Sequence, residues 1–281
     1  MEKTNYLETK YQGIIPYQIE EGKKHITLAP GVYQLGYYEI APMCIVDHFI
    51  PLKEQDSLIR FKDSVVDDVI NKVDKFFSQN SVDAYKELKL VHKMGMIIYG
   101  PHGTGKTSSA MLALRAIAEK YEAICLDCTL RTLNNCTNTI KNIRQHQKNP
   151  IIMFMDEFDV EMREREEQWL PFLDGTGSFE NFVFIGCTNY IDKIPDRIKD
   201  RKSRIKHIVE IKGLPMAVYS EYIKDRLPNL NSKELAEFAF KAESEKLTID
   251  QVKNALIDYR IEGWSIDKAI KVAASIKDES I

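Results

Sequence analysis

The chain has 281 residues, of which 44% are hydrophobic, and 39 Lys and Arg against 42 Asp and Glu leave a net charge of −3. That length holds one large domain or two smaller ones, and that composition is ordinary for a globular protein. The charge excludes a global drive toward nucleic acid or an anionic membrane, though not a local basic patch. No apolar run approaches the roughly 18 residues that a bilayer span needs. The first residues are polar and charged, unlike a signal peptide, so a cytoplasmic location and no membrane partner are expected. The five cysteines (Cys44, Cys125, Cys128, Cys136 and Cys187) are odd in number and lack the spacing of a disulfide framework, which predicts reduced thiols.

Residues 1 to about 50 are rich in β-branched and aromatic residues, broken by Pro30-Gly31, Gly36 and Pro42. Short strands joined by turns are predicted there, as a packing extension or a substrate-docking unit. From Phe61 to Phe77 the apolar positions Val65, Val66, Val69, Ile70, Val73, Phe76 and Phe77 fall at helical spacing, and a second short helix is predicted over Ser81–Leu88.

An apolar run, Met96 to Tyr99, then feeds Gly100-Pro-His-Gly-Thr-Gly-Lys-Thr107, with a helix predicted over Ser108–Lys120. This is a phosphate-binding loop in its strand–loop–helix setting. Glycines at Gly100, Gly103 and Gly105 let backbone N–H groups turn in on phosphate oxygens, and the helix N-terminus adds partial positive charge. Pro101, His102, Thr104 and Ser108 complete the predicted nucleotide-binding stretch. In such a loop Lys106 reaches the β- and γ-phosphates and the Thr107 hydroxyl ligates Mg²⁺.

Next come a buried strand over Glu122–Asp127, a helix from about Asn138 to Gln147 and a second apolar strand, Ile151–Met155, that ends in Asp156-Glu157. Asp156 is the expected Mg²⁺ ligand and Glu157 the group that polarises the attacking water. The charged run Glu161–Gln168 places Glu161 with Arg165 and Arg163 with Glu167 at i,i+4, as a solvated helix face would. Another strand, Phe182–Ile185, leads to Asn189, placed to orient the water beside the γ-phosphate. The basic segment Ile194–Arg204 contains Arg201 and Arg204, either a nucleic-acid patch or arginine fingers for a neighbouring subunit. After a strand over Ile208–Ile211, helices are predicted at Met216–Arg226, Ser232–Glu243, Thr248–Arg260 and Ser265–Lys277, which makes a small helical domain.

With these residues in place, the stretch from about 60 to 275 resembles the AAA+ ATPase superfamily, nearest its classical and Bcs1-like branch. Gly100–Thr107 is similar to the Walker A motif and Ile151–Glu157 to Walker B. Leu173-Asp-Gly175 followed by Thr188-Asn189 is similar to the segment that ends in sensor 1, and Arg201 and Arg204 to the paired fingers. The resemblance implies a P-loop αβα sandwich with a central parallel sheet, then an α-helical lid. The expected division is 1–55 as a β-rich N-terminal extension, 56–213 as the ATPase core and 214–281 as the lid. The resemblance further implies ATP and Mg²⁺ as cofactors, ATP bound between subunits of a homo-oligomer, most often a hexamer, and hydrolysis that remodels a protein partner. Rival readings are a nucleic-acid motor or loader and an ATP-gated scaffold. The stretch matching the aromatic pore loop of threading members, about Leu133–Cys136, has no aromatic residue, and the lid has no evident sensor 2 arginine.

Overall fold

A computed structural model describes residues 5–8, 14–20, 23–25, 28–41, 44–52, 65–174 and 179–275. The predicted helix start at Phe61, Gly175 and the predicted helix end at Lys277 lie outside the described residues. Among the described residues ten strands form one sheet. They are β1 (Asn5–Glu8), β2 (Ile14–Glu20), β3 (Lys23–His25), β4 (Gly31–Ala41), β5 (Cys44–Pro51), β6 (Lys93–Tyr99), β7 (Ile124–Asp127), β8 (Ile151–Met155), β9 (Phe182–Thr188) and β10 (His207–Glu210). Their order is β1-β2-β5-β4-β7-β8-β9-β6-β10, with β3 on β2. From β4 to β10 every pairing is parallel, whereas β5, β2, β1 and β3 add an antiparallel wing.

The parallel strands are apolar runs because both faces are covered. On β8, Ile151, Met153 and Met155 enter one core while Ile152 and Phe154 enter the other. Helices α1 (Val65–Phe77) and α3 (Lys106–Tyr121) cover one face through Val69, Val73, Leu114 and Ile117. Helices α4 (Leu133–His146) and α5 (Phe158–Asp174) cover the other through Ile140, Ile143, Phe158 and Trp169. Between α1 and β6 lies the short α2 (Gln79–Glu87), and α6 (Asp196–Lys199) precedes β10. The result is the predicted αβα sandwich.

The sheet crosses the expected boundary at 55/56. Gly31–Gln34 of β4 pair in parallel with Ile124–Asp127 of β7, and Leu28, Tyr33, Leu35 and Phe49 are buried in the same core as α4 and α5. The side-chain amide of Gln147 brackets Leu28, accepting from its N–H at 2.7 Å and donating to its carbonyl at 2.8 Å. At 11 and 8 residues, β4 and β5 are longer than the short strands expected there.

Helices α7 (Met216–Arg226), α8 (Ser232–Ser244), α9 (Ile249–Ile261) and α10 (Ile266–Ser275) pack on a core of their own around Tyr219, Ile223, Phe238, Val252 and Ile270. Local signals set two of their starts. Asn231 with Glu234, and Thr248 with Gln251, each form a capping box.

Candidate functional site

Strand β6 delivers the phosphate loop at the point where the strand order reverses. Its neighbours are β9 and β10, while the chain after α3 crosses to β7 at the far side of β8. In open α/β sheets that switch leaves a crevice beyond the carboxyl ends of the strands. Gly105 ends the loop at φ 80°, a conformation that favours glycine, and α3 begins at the next residue. A cleft of about 330 Å³ opens there, lined by His102, Gly103, Gly105, Lys106, Thr107 and Ser108 together with Asp156, Glu157 and Asn189. Three segments far apart in sequence thus meet around one space. Gly100, Pro101 and Thr104 brace the loop from behind. Thr104 Oγ1 donates to Pro101 O at 2.8 Å, and Lys106 Nζ donates to Gly100 O at 2.9 Å and Pro101 O at 2.7 Å. Burial pulls the Lys106 ammonium below its ordinary pKa, an effect that Cys187 and the Asp156 carboxylate oppose.

Asp156 follows the last residue of β8. Its Oδ2 accepts from Thr107 Oγ1 at 2.5 Å, and its Oδ1 accepts from the Glu157 N–H at 2.9 Å. A hydroxyl and a carboxylate in contact at a phosphate loop are groups that could hold the Mg²⁺ of a nucleotide. Glu157 adopts a left-handed backbone, φ 49°, which costs a residue with a Cβ roughly 1–2 kcal/mol. Its side chain is exposed at the cleft. Such a strained turn is common at working sites.

Asn189 follows β9 and lines the cleft. The residue before it is anchored: Thr188 Oγ1 donates to buried Asp159 Oδ1 at 2.5 Å and accepts from the Tyr190 N–H at 2.9 Å. His102 and Tyr190 then bridge the two loops, ring nitrogen to hydroxyl at 3.1 Å.

The structure does not bring Arg201 or Arg204 to this cleft, and it treats them differently. Arg201 is exposed and forms no ion pair among the described residues. Arg204 is 6% exposed; its Nε and Nη2 donate to the two carboxylate oxygens of Asp174, each at 2.5 Å, and its Nη1 donates to the Arg197 carbonyl. A turn closes Arg204 N–H on Arg201 O at 2.8 Å, and of the two arginines it joins Arg204 is bound to Asp174 while exposed Arg201 acts on that carboxylate only at longer range. This segment runs beside Gly95, whose carbonyl accepts from the Lys206 N–H at 2.8 Å. Gly95 lies near the start of β6, about 16 Å along the strand from Gly100. An arginine side chain does not span that distance, so neither residue reaches the phosphate loop of its own chain.

Other expectations move by small amounts. Helix α4 begins at Leu133 instead of Asn138, because Thr132 caps it and Leu133 and Cys136 are buried. The stretch matched to a pore loop is therefore helix, and the loop after β7 is 128–132, with Leu130 73% exposed. On the charged face of α5, Arg165 Nη1 pairs with Glu161 Oε2 at 2.5 Å, but Arg163 approaches Asp159 at 4.0 Å in place of Glu167. Cys125, Cys128, Cys136 and Cys187 are free and buried. Among the described residues no helix is long and apolar enough to cross a membrane. The start of α9 contributes Ile249 and Asp250 to the cleft wall.

Residues 96–212 match the family of ATPases associated with various cellular activities. Among curated relatives, the chain is similar to a proteasome-associated ATPase of Nakamurella multipartita, 27% identical over 191 residues that make up 56% of this chain and 32% of that protein. It is also similar to an "AAA ATPase forming ring-shaped complexes" of Bifidobacterium adolescentis, 28% identical over 185 residues, 54% of this chain and 36% of that one. The chain thus spans about a third of the length of these relatives. In fold it is similar to a chain in the Escherichia coli MS115-1 HORMA:CdnC:Trip13 complex, with a TM-score of 0.61 and 12% identity over 78% of this chain and 90% of that one. The matched stretch spans the phosphate loop, Asp156-Glu157, Asn189 and both arginines, and over these residues the chain is similar to the AAA ATPase family.

Proposed function

We propose that the chain binds ATP with Mg²⁺ in the cleft beyond β6 and hydrolyses it, and that the complete site forms only between copies. The contact that carries the reading is Thr107 Oγ1 to Asp156 Oδ2, which joins the phosphate loop to the strand end that bears Glu157. In this reading Lys106 and the loop N–H groups hold the phosphates, Thr107 and Asp156 hold Mg²⁺, Glu157 polarises water and Asn189 orients it. Arg201 supplies transition-state charge to a neighbouring copy; Arg204 joins it only by leaving Asp174. The ring-forming relative supports a closed assembly of like subunits. Its turnover would remodel a protein partner, a role in keeping with the proteasome association printed in the name of one relative. The test is Mg²⁺-dependent phosphate release by wild type and Glu157→Gln, with ATP binding measured on both. A wild-type rate equal to that of the variant sinks the reading.

A second reading has one observation behind it. A groove of about 650 Å³ between α2 and the 202–206 segment gathers Lys89, Lys93, Lys202 and Lys206 beside Tyr85. If it takes nucleic acid, binding falls steeply with salt and nucleic acid raises the ATPase rate.

A further inference from the structure

We propose that Asp127 and Thr129 are positioning residues for the Mg²⁺ half of this site: the Asp127 carboxylate aims the Thr129 hydroxyl, and that hydroxyl holds the turn that carries Asp156 and Glu157. The proposal rests on the ATP–Mg²⁺ reading of the cleft.

Strands β7 and β8 pair in parallel only as far as Asp127 and Phe154, with one further backbone bond from Cys128 N–H to Phe154 O at 2.8 Å. Past that point the Asp156 N–H has no carbonyl on β7 to meet. The Thr129 hydroxyl takes it instead, accepting at 2.9 Å. A hydroxyl rotates, so it accepts dependably only when its own proton is committed elsewhere. Asp127 Oδ1 commits it, accepting from Thr129 Oγ1 at 2.7 Å and from the Thr129 N–H at 3.0 Å. Asp127 itself is buried at the end of β7, so solvent does not compete for it.

The relay ends on a backbone amide, but its effect falls on side chains. Both oxygens of Asp156 are already engaged, one by Thr107 and one by the Glu157 N–H. With the carboxylate pinned at both ends, its place is set by where the Asp156 backbone lies. The next residue is the left-handed Glu157, whose strained turn persists only where its surroundings fix it. A bond within residues 127–129 alone would be an ordinary strand-ending turn. The bond from Asp156 is different, for it ties two strand ends 27 residues apart at the edge of the cleft.

Partners of this kind that orient metal-holding groups typically cost 10–100-fold in metal affinity or activity when lost. The experiment takes Thr129→Val, which keeps the shape and removes the hydroxyl, with Thr129→Ser as the rescue and Asp127→Asn as the second variant. Each is titrated with Mg²⁺ at fixed ATP for turnover, and with a fluorescent ADP analogue in EDTA and in Mg²⁺ for binding. The proposal predicts that Thr129→Val raises the half-saturating Mg²⁺ and lowers kcat by about 10–100-fold. Its affinity for the analogue in EDTA stays at the wild-type value. Thr129→Ser returns both kinetic quantities to wild type, and Asp127→Asn shifts Mg²⁺ dependence in the same direction as Thr129→Val. Unchanged kcat and Mg²⁺ dependence in Thr129→Val overturn the proposal, as does an equal loss of affinity in EDTA, which would make these residues part of the wall only. Wild-type protein whose binding ignores Mg²⁺ overturns the ATP–Mg²⁺ reading itself and this proposal with it.

Discussion

Lys106 is subject to opposed demands. Burial disfavours its charge, yet a phosphate needs that charge, and two loop carbonyls hold the ammonium in wait. Lys106→Ala is expected to lower Mg²⁺-ATP affinity on the order of 10²-fold, the scale of a lost charged hydrogen bond, as calorimetry would read. Glu157→Gln keeps the left-handed turn and the shape but cannot take up a proton. It should bind ATP as wild type does and turn over about 10²–10⁴-fold more slowly. Turnover near wild type would remove Glu157 from its assigned role. These residues are legible in the sequence because their chemistry is written within a few neighbours: glycines, then lysine and threonine, or an apolar run, then two acids. Their supports are not. Asp159 and Thr188 are 29 residues apart and Thr129 and Asp156 are 27 apart, and only the strand order shows that each pair meets.

Between elements, two contacts set how the parts hold together. The first is Asp174 at the end of α5 with Arg204 before β10. The guanidinium hydrogen-bonded to Asp174 holds its carboxyl below the usual carboxylate range. The native state therefore favours the ionised form; the stabilisation is complete above the unfolded carboxylate pKa of about 4 and is lost as pH falls through the lower native value. Asp174→Asn should unfold at a lower temperature than wild type at pH 7, with the gap closing toward acid; a gap that does not change with pH would contradict the assignment. The second is the start of α9 against the phosphate loop. At Gly103, φ 68°, an added Cβ would stand 2.4 Å from Thr248 Cγ2, at the cap of α9. Gly103→Ala is thus expected to push α9 away and weaken nucleotide binding by about tenfold, given a left-handed cost of 1–2 kcal/mol and a clash besides. Helix periodicity and caps made α7 to α10 readable from sequence, since those signals are local. The parallel pairing of β4 with β7 was not readable, because nothing in residues 31–34 names a partner some ninety positions away.

At the scale of the whole molecule, the phosphate loop and Arg201 lie at opposite ends of β6. Under the proposed reading one chain would carry the front of one site and the back of another, a head-to-tail arrangement that would close into a ring or run on as a filament. Sequence order supplied both halves and the resemblance supplied their use in trans; the strand geometry excludes their use in cis. Arg201→Ala should then reduce turnover on the order of 10³-fold while leaving its own phosphate loop intact. The most direct test of the shared site is to mix Arg201→Ala with Lys106→Ala, each inactive alone, and to measure ATP hydrolysis. In mixed assemblies an intact loop from the first variant meets an intact Arg201 from the second. At equal amounts the account predicts about a quarter of the wild-type rate, the share of interfaces that random mixing makes whole. A mixture as inactive as its components, under conditions where the two variants co-assemble, would contradict it.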